Sequence, residues 1–208
     1  MQQFFIHTHT DHSTLFSGHF ENFKECLESA NEQRISLRFA DLRNQNLCHA
    51  QLDEGDFSQA LFTGSNLTGA NLSEGIFKGA DFSNCDLYNA CFAYSDLSCC
   101  RFEYAGFGAT DFAGCDISSA SFASLSCFSL NFAHVQTMDS CTYRSSDGRK
   151  ITMSKPPIVI HGLANAPIIL LDQAAYCGNQ ILSHQNFLGF LKIAAPLQLT
   201  RAKDRLKE

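Results

Sequence analysis

The chain lacks tryptophan altogether, and its 10 cysteines include no Cys-x-x-Cys pair. The second absence removes the usual sequence mark of a zinc or dithiol redox site. No run of about 18 to 20 apolar residues is present, so no membrane-spanning helix is predicted. Residues 1–10 have neither the charged start nor the apolar stretch of a signal peptide, which reads as a cytoplasmic protein with reduced thiols. Catalytic signatures are missing too. There is no nucleophile beside a base, no carboxylate pair in a predicted cleft and no phosphate loop. The expectation is a protein without enzymatic activity or cofactor.

Negative charge is unevenly distributed. Residues 1–36 carry five acids and two bases, residues 37–136 eleven acids and four bases, and residues 137–208 five acids and nine bases. A long acidic segment repels a nucleic-acid backbone, which argues against direct nucleic-acid binding along it.

What the chain does have is 19 phenylalanines and a fixed period. Counting in fives from Leu37, every position to Phe132 is Leu, Phe or Ile except Cys127. Two residues earlier stands a small residue, except at Ile35, Gln45, Leu125 and Leu130. A helix repeats every 3.6 residues and a strand every two, so neither holds this phase. A short fixed period means a solenoid. If one large and one small residue point inward per five, four repeats close a squared coil of twenty, stacked about 4.8 Å from the next. Leu42, Phe62, Phe82, Phe102 and Phe122 then form one internal ladder, and Leu52, Leu72, Phe92, Phe112 and Phe132 another, with rings stacked in an offset manner. Cys85, Cys100 and Cys115 fall at the small inward position.

The motif A-[D/N]-[L/F]-x-x, as in Ala70-Asn71-Leu72 and Ala80-Asp81-Phe82, resembles the pentapeptide-repeat family over residues 35 to about 136. The resemblance implies a right-handed quadrilateral β-helix of about five coils, an all-β solenoid. Around it we expect an N-terminal hairpin-and-helix cap over residues 1–34, the β-helix over 35–137, a β-rich module over 138–200 ending in a short helix, and a mobile tail at 201–208. In the cap, Phe20, Phe23, Leu27 and Ala30 share a helical face, while Glu21, Glu25 and Glu28 read as a solvated one. Beyond Met138 the period stops. Ser146-Asp147-Gly148 reads as a turn between Cys141–Arg144 and Lys150–Met153, with strands at 158–160 and 168–171 and a helix at 184–193.

The order of parts is also similar to small pentapeptide-repeat proteins of phages and prophages, through Asp147 to Ile151, Pro156 to Leu163, and Gly178 to Gln180. That similarity implies a bacterial or viral source and no biochemical role.

Three functions stay open. The first is a protein-interaction module, such as a phage factor binding an unidentified host protein. Leu61, Ile76, Tyr88, Tyr94 and Tyr104 support it, standing outward where the repeat normally has Ser, Thr, Asn or Asp. The second follows the family resemblance to proteins that imitate DNA toward type II topoisomerases. Here Asp56, Asp96 and Asp116 form an acidic outward column interrupted by Ile76, and a homodimer would double its span. The third is a metal-dependent enzyme. Ile6 to Ser13 resembles the first metal-binding strand of the PHP phosphoesterases, with His7, His9 and His12 as ligands, but further ligands of that family have no counterpart at suitable spacing.

The filled-tube reading predicts that Ala80→Leu overpacks the coil and costs about 1–3 kcal/mol. A thermal melt unchanged from the parent would contradict it.

Overall fold

A computed structural model describes residues 1–123, 125–145, 147–160, 168–172, 174–177, 180–183, 185–187 and 189. In it the five-residue period becomes a coil of twenty residues. Parallel bridges join each outward residue to the one twenty positions later, from Asp41↔Leu61 through Asp96↔Asp116. Hydrogen bonds run both ways between coils: Leu42 N–H donates to Leu61 O at 2.8 Å, and Leu61 N–H donates to Ala40 O at 2.9 Å. The architecture is a β solenoid. Its flat stretches are so short that most are single bridges instead of strands.

The corners explain why strands stay short. From Leu37 to Ile117, the second residue after each central one takes a left-handed backbone, as at Asn44 (φ 56°), Gln59 (φ 59°) and Asn84 (φ 58°). For a non-glycine residue this conformation costs about 1–3 kcal/mol. The same residue's N–H bonds to the next coil, as Asn44 does to Thr63 O, and each repeat buries a Leu or Phe worth about 1.5–3 kcal/mol. Burial and pairing together outweigh the corner strain.

Inside, Phe62, Phe82, Phe102 and Phe122 stack face to face with centroids 4.8 to 5.3 Å apart, as the sequence suggests. The other ladder differs. Phe92 and Phe112 meet edge to face, at 86°, because Phe92 also fits edge-on against Phe82 and Phe102. The small position does more than save space. Ser65 Oγ, Ser95 Oγ and Thr110 Oγ1 donate to Leu42 O, Leu72 O and Leu87 O at 2.6 to 2.8 Å. Cys85, Cys100 and Cys115 donate Sγ–H to the corresponding carbonyls of Phe62, Phe77 and Phe92. A buried hydroxyl or thiol there is satisfied within the core.

The chain ends are tied to the coil through its unpaired edge. Strand β1 (Gln2–His7) pairs antiparallel with β2 (Thr14–Phe20), and helix α1 (Phe23–Glu32) follows, capped by the Asn22 side chain on Glu25 N–H. Cys26, Leu27, Ala30 and Asn31 are its buried residues. No coil precedes the first, so its upward-facing amides need other acceptors. Asp41 N–H takes His7 O, and Gln51 N–H takes Glu28 Oε1 at 2.9 Å. Glu28 is therefore an edge acceptor and not the solvated charge expected from sequence. Asn31 Nδ2 adds a bond to Asp53 O.

At the other end the period does not stop at Met138 but slips. β3 (Arg101–Phe102) pairs with β4 (Ser121–Phe122) at a spacing of twenty, whereas Asp116↔Thr137 and Phe122↔Tyr143 are spaced by twenty-one. The extra residue lies in a stretch containing 3-10 turns at Leu125–Ser129 and Phe132–His134. Beyond it, Met138 is buried, Ser140 takes the left-handed corner (φ 59°), Cys141 Sγ donates to Ile117 O, and Tyr143 sits buried beside Phe122 in register. β5 (Cys141–Arg144) then turns back into antiparallel β6 (Lys150–Met153). A four-stranded antiparallel sheet follows, β7 (Ile158–Ile160), β8 (Ile168–Leu170), β9 (Ala174–Cys177) and β10 (Gln180–Ser183), each paired with the next. The last two strands were not expected. The expected helix at 184–193, the tail and parts of the phage-like motif fall largely outside the described residues.

Burial pushes the thiols of Cys85, Cys115 and Cys141 up to about 12. Their folded pKa lies above the unfolded value of about 8.5, so their contribution to stability is whole below that value and is lost as pH rises toward 12. The urea midpoint should fall between pH 8 and pH 10.5. A Cys85→Ser/Cys115→Ser/Cys141→Ser variant, which keeps a donor without titrating, should fall less; an identical fall would contradict the assignment.

Candidate interaction surface

Twenty-residue register assigns every outward side chain to one of four sides. Leu61 and Tyr104 flank the Phe62–Phe82–Phe102 ladder, Ile76 precedes Phe77, Tyr88 follows Leu87 and Tyr94 follows Phe92. The five candidates are thus spread over four sides and do not form one surface, a correction to their grouping by sequence. Their exposure differs as well. Tyr94 and Tyr104 are 73% and 65% exposed, Ile76 and Tyr88 46% and 45%, and Leu61 is half-buried.

Two of the tyrosines rest on glycines of the next coil. A Cβ added at Gly106 would lie 3.1 Å from the Tyr88 ring, and one at Gly108 would meet it more closely still. Gly114, with φ +70°, stands likewise beneath Tyr94. Each ring occupies space that a side chain would otherwise fill, so Tyr88 and Tyr94 have a packing role as well as an exposed face.

The acidic column follows from local chemistry. Asp96 accepts from Ser98 N–H at 2.9 Å, Asp116 from Ser118 N–H at 2.8 Å, and Asp56 from both Ser58 N–H and Ser58 Oγ. Asn66 and Asn71 do the same for Thr68 and Ser73. An Asx side chain folding onto the amide two residues ahead favours the turn, whether or not it is charged. Ile76 sits in register between Asp56 and Asp96, and Arg38 reaches Asp56 at 3.6 Å.

The N-terminal histidines diverge. His7 and His9 flank Thr8, which is buried and bridged to Ala40, so they alternate with buried Ile6 and Thr8, but their rings go to different partners. His9 Nε2 contacts Gln59 O at 3.0 Å against the coil, while His7 stacks on Phe5 and approaches Thr14 Oγ1 at 3.3 Å. His12 lies in the turn, with φ 59°. His7, His12 and Asp41 do line one shallow depression, but the Arg43 guanidinium chelates both oxygens of Asp41 and holds that carboxyl below the usual carboxylate range. Among the described residues no three His, Cys, Asp or Glu side chains form a metal-binding group.

A groove that sequence reasoning did not single out runs along the corner between the Phe77 and Phe82 sides. It encloses ≈ 660 Å³ and is lined by Arg38, Lys78, Arg101, Asp81, Leu61 and Cys99 among others. Arg101 pairs with Glu103 at 2.9 Å and with Asp81 at 3.5 Å. The Lys78 carbonyl accepts from Gln59 N–H, while its ammonium forms no hydrogen bond or close ion pair with the described residues and acts on Asp116 only over a longer range. The sequence signal was the spacing: residues 38 and 78 differ by two coils and so share a column.

Comparison with known proteins bears on this geometry. A profile described as pentapeptide repeats matches residues 33–64 and 65–103, with eight copies. Residues 33–103 are thus a run of pentapeptide repeats. Solved pentapeptide-repeat structures are similar to the chain. One is Rfr23 of the cyanobacterium Cyanothece 51142, 18% identical, covering 45% of this chain and 60% of that one, with a TM-score of 0.36. HetL of Nostoc sp. strain PCC 7120, involved in heterocyst differentiation regulation, is 17% identical, covering 56% and 60%, with a TM-score of 0.31. QnrB1, a plasmid-mediated fluoroquinolone resistance protein, is 14% identical, covering 53% and 65%, with a TM-score of 0.21. This chain spans about 60% of the length of the first two. No curated protein matches it by sequence.

In a pentapeptide coil the acid before the central residue serves the turn first. Asp96→Asn should leave the melting temperature unchanged, whereas Asp96→Ala should cost about 1 kcal/mol by orphaning the Ser98 amide. Equal melts for the two variants would contradict the turn assignment.

Proposed function

We propose that the protein is a non-enzymatic interaction module, a phage or prophage factor that binds a host protein through the outside of its coil. The observation that carries this is the filled interior. Phe57, Phe62, Phe77, Phe82, Phe92, Phe102 and Phe122 are fully buried and packed on one another, so the tube has no space for a substrate. Recognition is left to the surface, where Tyr94, Tyr104 and Ile76 offer exposed apolar area and the corner groove offers charge. The hairpin, α1 and the C-terminal sheet act in this reading as caps that cover the coil ends.

The second reading is DNA mimicry toward a type II topoisomerase, favoured by the acidic coil. Geometry weighs against it. The column 41–61–81–101–121–142 makes five steps of about 4.8 Å, roughly 24 Å, against 3.4 Å per base pair on each DNA strand, so one chain covers about seven base pairs. Bases at Arg38, Lys78 and Arg101 also interrupt the negative field.

Affinity capture from a bacterial lysate with mass spectrometry tests the main reading. A discrete protein should be captured, and at least one of the folded variants Tyr94→Ser, Tyr104→Ser and Ile76→Asn should lose it. Absence of any captured protein would overturn the module reading. Inhibition or protection of gyrase supercoiling at micromolar protein would favour the second reading instead.

A further inference from the structure

We infer that the groove between the Phe77 and Phe82 sides docks an acidic segment of a partner protein, with an aliphatic side chain of that segment seated on Leu61. This inference rests on the interaction-module reading and names the partner's chemistry.

The first argument is the distribution of charge. Residues 37–136 hold only four bases, Arg38, Arg43, Lys78 and Arg101, against eleven acids. Three of the four line this single groove, and only one of the acids, Asp81, does. Elsewhere the coil is acidic, so the groove is where its bases gather; Asp56, Asp81 and Glu103 pair with the two arginines and Asp116 interacts with Lys78 over a longer range, and an incoming carboxylate would compete with these acids. His9, held over the same groove by its contact with Gln59 O, lines its N-terminal end.

The second argument is availability. Lys78 is exposed and has no close ion pair among the described residues. Arg38 and Arg101 are 49% and 58% exposed, and their bonds to Asp56, Asp81 and Glu103 are surface pairs. Such pairs contribute about 0–1 kcal/mol and exchange readily with an incoming carboxylate. Arginine presents a fork that matches a carboxylate in plane.

The third argument is shape. Arg38 and Lys78 stand in one column two coils apart, about 10 Å. An extended peptide advances about 3.3 Å per residue, so carboxylates three residues apart span the same distance. Between them, Leu61 gives an apolar floor and Gly79 leaves it open. A nucleic-acid backbone fits worse. It carries charge beyond the groove onto the acidic coil and has nothing to place on Leu61.

The test uses the full chain and a fluorescein-labelled hexapeptide with Glu at its first and fourth positions and Leu at the second and third. Polarisation should show saturable binding, weakened about tenfold or more by Lys78→Glu and unchanged by Arg43→Gln, the base outside the groove. Bound peptide should also slow alkylation of Cys99 at the groove edge. A peptide with Leu replaced by Ser should bind more weakly, and a single-stranded oligonucleotide of six residues should not compete. No saturable binding up to millimolar peptide, equal binding by Lys78→Glu, or competition by the oligonucleotide would each overturn the inference. Lysate capture retained by Lys78→Glu would overturn the groove while leaving the module reading intact, whereas failure of parent capture would strike the module reading itself.

Discussion

Each side of the coil has room for one large and one small inward side chain, because five residues and a corner per side fix the width of the tube while hydrogen bonds between coils set neighbouring turns about 4.8 Å apart. Most of the structure descends from that restriction. From Leu47 to Phe122 it places Leu, Phe or Ile at every fifth residue and selects Ala, Gly, Ser, Cys or Thr two positions earlier beyond Gln45, and up to Ser119 it forces a left-handed corner in each repeat. The corner strain is outweighed by the burial it permits. The polar members of the small position then gain a second role, since Ser95 or Cys100 answers a carbonyl of the preceding coil that points into a dry interior.

The same restriction makes the ends critical. A coil without a neighbour exposes amides that water or another element must satisfy. At the N-terminal edge His7 O and Glu28 Oε1 fill that need, which explains why the hairpin and α1 lie where they do. At the other edge the stack absorbs one extra residue through 3-10 turns and then resumes, with Tyr143 aligned on Phe122 before the chain reverses into β6. Accommodation of that slip is local because each coil contacts only its neighbours.

Residues from Leu37 to Phe122 were legible in the sequence because their chemistry repeats without interruption. The slip was not. Leu125 and Leu130 replace the small residue, Cys127 replaces the large one, and the resumed phase at Met138 and Tyr143 is too short to see beside them. Glu28 was misread because its partner is a backbone amide, which no side-chain pattern reveals. Ala174 to Cys177 lacks the alternation that marks a strand, being buried on both faces for three residues in a row. Of the site residues, exposure of the tyrosines was readable, and their dispersal over four sides follows from the twenty-residue winding once it is applied to each of them. The basic groove was within reach of the same winding, since residues 38 and 78 fall in one column of twenties; what the sequence did not show is that Arg101, on the next side, reaches the same corner.

Repetition thus accounts for the interior and for most of the acids, and recognition falls to the places where repetition is broken. The account stands or falls on the twenty-residue register. Thermal unfolding of two deletions measures it most directly, one lacking residues 77–96 and one lacking residues 77–95. The first joins Ile76 to Leu97 and keeps every later side chain in phase, so a single cooperative transition close to the parent's is predicted. The second turns the downstream Leu and Phe residues out of register, and it should melt far lower or without cooperativity. Indistinguishable melting of the two deletions would contradict the account.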